Sequence, residues 1–212
     1  MRLTLIVLAA LFSVTYMSCS DHKTSTGTPA TAQPADSNKR RAQETVLNLY
    51  ASIDVSPMDM SYFPVDYPKL KMAKTTNQPP LARVIYSRPH LGGRKLFTDI
   101  QKYNEPWRLG ANESTELDLY KPATIQGKKI PAGRYVLYCI PQEDKWKIVF
   151  NTNIDTWGLH PDASKDVASF EIPVEQKNYR LEYFTMVFQG KDNQADLIMA
   201  WDNVEAKLAL QF

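Results

Sequence analysis

The chain has 212 residues, 25 basic and 23 acidic side chains, a formal net charge of +2, two cysteines and 43% hydrophobic residues. So even a balance excludes the basic excess by which nucleic-acid binders hold phosphates. Two cysteines are too few for a disulfide-stapled scaffold, so the fold must rest on a hydrophobic core.

Met1-Arg2 supplies a small positive start, and Leu3 to Tyr16 is an apolar run of signal-peptide length, too short to span a bilayer comfortably. Small residues then lead into Ser18-Cys19-Ser20, the pattern of a bacterial lipobox, with Tyr16 where leucine is usual. The sequence therefore predicts a lipoprotein-type signal peptide over 1–18 and a lipid on Cys19, which would be the protein's link to a membrane. The alternative is a plain secretory peptide cut nearby, with Cys19 left as a spare thiol. Residues 19–38 read as a disordered tether, since Ser20 to Ser37 contains no Val, Ile, Leu or aromatic residue and cannot bury surface.

The remaining stretch, about 170 residues, suffices for one domain with a proper core. Residues 39–80 read as a lead-in. Val46, Leu49, Tyr50 and Ile53 recur at helical spacing within Lys39 to Ile53, which predicts a short helix. Pro57 to Pro80 holds five prolines and no period, which predicts an extended segment lying over the domain. From residue 81 to 212 the pattern is that of strands: Leu81–Tyr86, Thr115–Tyr120, Ala123–Ile125, Arg134–Ile140, Lys145–Phe150, Val167–Ile172, Glu182–Phe188, Ala195–Trp201 and Val204–Leu210. Turn signals such as Gln126-Gly127 separate them, and Lys95–Tyr103 is the only further helix candidate. Close strand spacing without long helices predicts an all-β fold, an antiparallel, jelly-roll-like β-sandwich with long loops.

Two blocks about twenty residues apart carry the candidate chemistry. Tyr86-Ser87-Arg88-Pro89 runs on to Gly92-Gly93-Arg94, and Trp107-Arg108-Leu109-Gly110-Ala111-Asn112-Glu113 follows. Arg88, Arg94 and Arg108, with Trp107, Asn112 and Trp157, could grip a polar or anionic ligand such as a sugar: guanidinium groups fork onto carboxylates, and indoles stack on rings. The competing reading is a bracing network, with the arginines holding long loops to the sheet through carbonyls and carboxylates. Glu113 is the candidate general acid or base, but glycoside hydrolysis needs a second carboxylate; Asp99, Glu105 and Asp155 are the candidates. A salt bridge from Glu113 to an arginine is the structural alternative.

Cys139, in the apolar run Tyr135–Ile140, reads as a buried hydrophobe, and Trp146 and Trp201 as core. His22, His90 and His160 show no metal-ligand spacing, so no metal site is expected, and no nucleotide or redox fingerprint implies a cofactor.

Ser56–Tyr62, Val84–Pro89, Gly93-Arg94, Trp107–Glu113, Ile130–Tyr135, Trp157-Gly158, Asp166-Val167 and Met199–Trp201 together resemble the exported bacterial "domain of unknown function 2911" family. The likeness runs over about Ser56 to Phe212, with Trp107–Glu113 its most specific run. Two departures are Thr98, where the family pattern has glycine, and Leu159-His160-Pro161-Asp162, where it is rich in aromatics. The resemblance implies an all-β domain behind a signal peptide in Gram-negative bacteria, and no activity. The expectation is an exported, lipid-anchored binding or structural module of the periplasm or outer membrane, without nucleic acid as partner. The alternatives are a carbohydrate-active hydrolase or lyase using Glu113, and a scaffold component of an envelope assembly.

Overall fold

The computed structural model describes residues 54–212. The predicted signal peptide, the lipid site at Cys19, the tether and the helix over Lys39–Ile53 lie outside the described residues. Nine strands make one antiparallel system: β1 (Met58–Phe63), β2 (Ala82–Ser87), β3 (Thr115–Leu119), β4 (Ala123–Ile125), β5 (Lys128–Ile130), β6 (Gly133–Pro141), β7 (Lys145–Asn151), β8 (Asp166–Lys191) and β9 (Gln194–Gln211). Their spatial order is β1-β2-β3-β6-β7-β8-β9-β4-β5.

The strand β8 explains how this order becomes a sandwich. Its first part, Asp166 to Pro173, pairs with β7, and its second, Val174 to Lys191, pairs with β9. It thus begins in one layer and ends in the other. The second half then meets the far edge of the first layer: the Phe188 amide donates to Ser61 Oγ at 3.0 Å, and the Phe184 amide donates to the Pro89 carbonyl at 2.9 Å. Between the layers lies one core that includes Trp146, Trp201, Phe150, Phe184 and Phe188. Cys139 belongs to it, and burial pushes its thiol well above the ordinary range, which leaves it without nucleophilic character.

Alternation sets the strand faces. In β3, Leu117 and Leu119 point to the core. Asp118 stands between its cross-strand partners Arg83 and Arg134, accepting from Arg83 Nη2 at 2.5 Å and Arg134 Nε at 3.2 Å. The β4–β5 hairpin turns through Gln126 and Gly127, both with positive φ (46° and 78°), as the twist of a two-residue hairpin requires.

The structure corrects three expectations about elements. Pro57–Pro80 is not merely extended: Met58–Phe63 forms an edge strand on β2, and a short helix α1 (Tyr67–Met72) follows, so the sandwich begins before residue 81. The outward face of β1 carries Met58 and Met60, an inverted pattern that hides the strand from a hydrophobicity reading. Lys95–Tyr103 holds only a π-helical turn over Leu96–Ile100. The four strands expected after residue 166 are two long ones. The break expected at Asp202 is a single left-handed residue (φ 53°) inside a continuous β9, and Glu175–Thr185 of β8 contains bulges.

On the outer face of that bulged region, Lys177 Nζ meets Glu175 at 2.6 Å and Glu205 at 3.1 Å, and Lys207 meets Glu205 at 3.2 Å. Burial alone would raise the Glu205 carboxyl, but the two lysines outweigh it and hold the group below its ordinary 4.5; Lys177 lowers Glu175 in the same direction. A depressed carboxyl contributes stability above its unfolded value, and that contribution is lost as pH falls through the folded value. The Tm should therefore drop on acidification below about pH 4.5, and Glu205→Gln should flatten that drop in a thermal-melt series from pH 6 to 3.

A cationic cleft as candidate functional site

The long connection from β2 to β3 carries most of the candidate residues and is fastened to the sandwich at its middle. Trp107 exchanges two backbone hydrogen bonds with Cys139 of β6, both 2.8 Å. This pins the indole against the core, where it is 5% exposed, stacks 5.9 Å from Trp201 and meets Trp146 edge-on at 5.7 Å. Its Nε1 donates to the Gly110 carbonyl at 3.2 Å, which closes the turn that follows. Leu109 and Asn112 take positive φ (54° and 63°), which turns the chain sharply after Arg108.

A second loop lies against the first at Gly158. Its φ is +78°, and a Cβ there would come within 2.6 Å of Ser114 Oγ, so only glycine allows this approach. Ser114 Oγ donates to the Thr156 carbonyl at 2.5 Å, and Arg108 Nη1 to the Trp157 carbonyl at 2.9 Å. The guanidinium also sits 5.7 Å from the Trp157 ring centroid, a cation–π distance.

Between the two loops opens a cleft of about 330 Å³. Trp107 and Trp201 form its floor, Ile100, Pro106 and Leu159 its apolar walls, and Ser56, Arg94, Gln101 and Arg108 its polar side chains. No lining residue is acidic. Arg94 donates from Nε to the Leu91 carbonyl (2.8 Å) and from Nη2 to the His90 carbonyl (3.0 Å) and has no carboxylate partner among the described residues. Arg108 uses only Nη1, on the Asn112 and Trp157 carbonyls; its Nε and Nη2 have no acceptor among the described residues. Burial pulls the Arg108 pKa down, against the opposing pull of Glu113, but a guanidinium remains charged at any physiological pH. The cleft thus presents fixed positive charge and open donors beside apolar surface.

The other sequence candidates are placed differently. Arg88 lies outside the lining and is occupied by Asp59 Oδ2 (3.2 Å), the Phe184 carbonyl (3.3 Å) and Thr185 Oγ1 (3.3 Å), so it braces β1 and β8. The Asn112 amide donates to Asp54 Oδ2 at 2.9 Å and to the Ser56 carbonyl at 3.2 Å, tying down the chain ahead of β1. Trp157 is 56% exposed and stands beside the cleft, under Arg108, instead of in its lining. Glu113 is exposed and does not line the cleft, nor do Asp99, Glu105 or Asp155, so the two-carboxylate arrangement of glycoside hydrolysis is not assembled here. His90 packs edge-on against Tyr183, and His160 is exposed. Among the described residues, no group of three or more His, Cys, Asp or Glu could hold a metal.

Sequence reasoning missed Ile100, Gln101, Pro106 and Leu159. The first two sat inside a presumed helix, and the signal that could have found them is Thr98-Asp99, which offers a polar break in that helix.

Fold and cleft together define an antiparallel β-sandwich with a cationic, carboxylate-free cleft at the junction of two loops. The chain belongs to the family described as "Protein of unknown function (DUF2911)", whose model matches residues 68–210. Comparison with curated proteins and with solved structures finds no match.

Proposed function

We propose that this protein is a binding module of the cell envelope that takes a small polar anion in the cleft between Arg94 and Arg108. It is exported and held at the periplasmic or outer-membrane surface of a Gram-negative bacterium by lipid on Cys19. The observation that carries the binding reading is the pair of open donors on Arg108, next to Arg94, in a cleft with no acidic lining residue. A bracing arginine has its donors met internally, as Arg88 does. Two guanidinium groups without carboxylate partners, Arg108 partly buried and Arg94 exposed, favour an anionic guest.

Galacturonate and galactose differ by one carboxylate and form the test pair. Galacturonate should shift amide resonances of Arg94, Gln101 and Arg108, and galactose should not; silence from both would end the proposal. Glu113→Gln separates binder from hydrolase. Glu113 opposes the positive charge of Arg108, so its neutralisation should tighten galacturonate binding about two- to threefold. Under the hydrolase reading the same variant abolishes turnover. For the anchor, mass spectrometry of the mature N-terminus should find Cys19 acylated, and an unmodified terminus would refute it.

A further inference from the structure

We infer that the cleft is one end of a continuous groove that takes an extended acidic oligosaccharide, such as a run of uronate units. This rests on the cleft reading above and names its ligand class. Beyond Arg94 lies a small depression of about 140 Å³ formed with Leu91, Gly93, Arg180 and Glu182. It shares Arg94 with the cleft and Arg180 with a third depression of about 440 Å³. Three hollows joined through two shared arginines make a track much longer than one small anion needs.

The track exists because β8 bulges. Between the pairs Gln176↔Val204 and Leu181↔Asp202, four residues of β8 stand opposite the single Asn203 of β9. The surplus swings Lys177, Asn178, Tyr179 and Arg180 out to form the wall of the third hollow, a use of bulges that recurs beside binding sites. Its opposite wall holds Tyr103, whose ring stacks 4.3 Å from Phe97.

The chemistry of the walls selects the ligand. Tyr103 and Tyr179, the latter 48% exposed, offer ring faces on which the C–H face of a sugar packs. Asn178 offers an amide of the kind that pairs with hydroxyls, and Asn203 offers its amide oxygen, its Nδ2 being bound to Gln176 Oε1 at 2.9 Å. Arg180 is bound to Asp202 through Nε and Nη2, and Lys177 to Glu175 and Glu205, so those charges are met. Lys95, Arg94 and Arg108, spread from the third hollow to the cleft, have no ion-pair partner among the described residues. Unpaired cations along the track, with ring faces in the third hollow and at the floor of the cleft, fit a chain of sugar rings that carries a carboxylate on each unit.

The test is titration of the full chain with galacturonate, hexagalacturonate and hexaglutamate at fixed ionic strength. The hexasaccharide should bind about tenfold or more tightly than the monosaccharide, because several subsites act on one molecule. Tyr179→Ala and Lys95→Ala, both surface changes, should erase that gain and leave galacturonate affinity unchanged. Equal affinity for the two sugars overturns the groove and leaves the cleft reading standing. No binding of either overturns both. Hexaglutamate binding as tightly as hexagalacturonate overturns the carbohydrate class.

Discussion

Trp107→Ala should lower the unfolding free energy by about 3–5 kcal/mol, the usual cost of emptying a buried aromatic site. In a domain of this size that corresponds to a fall in Tm of roughly 10 °C. The indole packs against Trp146, Trp201 and Phe184 at 5.7, 5.9 and 5.0 Å between ring centroids, all three of them fully buried. It also anchors the loop to β6 through its backbone, which the substitution leaves intact. The matched comparison is Trp157→Ala. That ring is 56% exposed, so its loss should cost less than about 1 kcal/mol. Thermal melts of the two variants separate core tryptophan from surface tryptophan, and equal losses would contradict the packing.

Arg88 and Arg108 should respond to alanine in opposite ways. Arg88→Ala removes donors to Asp59, Phe184 and Thr185, and with them part of the seam between β1 and β8. The side chain is about a third exposed (35%), so a loss of stability of about 1–2 kcal/mol is expected, with galacturonate affinity unchanged. Arg108→Ala removes the open donors of the cleft. A hydrogen bond to a charged group contributes about 1.5–3 kcal/mol, so affinity should fall roughly ten- to a hundredfold. Stability should change by less than about 1 kcal/mol, because two loop carbonyls lose a partner and the cation–π contact that goes with them is to a largely exposed ring. Calorimetric titration and thermal melts on the same two proteins check both halves. A loss of affinity in Arg88→Ala alone would reverse the assignment of brace and site.

The fold class was legible in the sequence because most strands alternate and most turns carry Gly, Asn or Asp. Trp146, Trp201 and Cys139 were readable as core for the same reason: each stands on the apolar face of a strand. β1 was not legible, since its methionines point outward and prolines flank it. The continuity of β8 was not legible either. Its bulges place polar residues where alternation would ask for apolar ones, and a bulge is specified by the partner strand as much as by its own sequence. At the site, Arg94, Trp107 and Arg108 could be picked out from composition around Gly turns, and Arg88 could not be told from them. Which guanidinium braces and which stays open depends on whether a carboxylate such as Asp59 arrives from another strand, and pairing of that kind is absent from a local pattern. The walls contributed by Ile100, Gln101 and Leu159 depend on how two loops lean together at Gly158, which a one-dimensional reading does not contain.

Because β8 is a member of both layers, neither layer has an independent existence. Detaching β9 strips the second half of β8 and also frees the edge where Phe184 and Phe188 hold the Pro89 and Ser61 side of the other sheet. Opening by one layer at a time would require breaking a strand in its middle, so the domain should melt in one cooperative step instead of through a half-folded species. The contacts that impose this join residues far apart in the chain, as Ser61 and Phe188 are, and such topologies fold slowly.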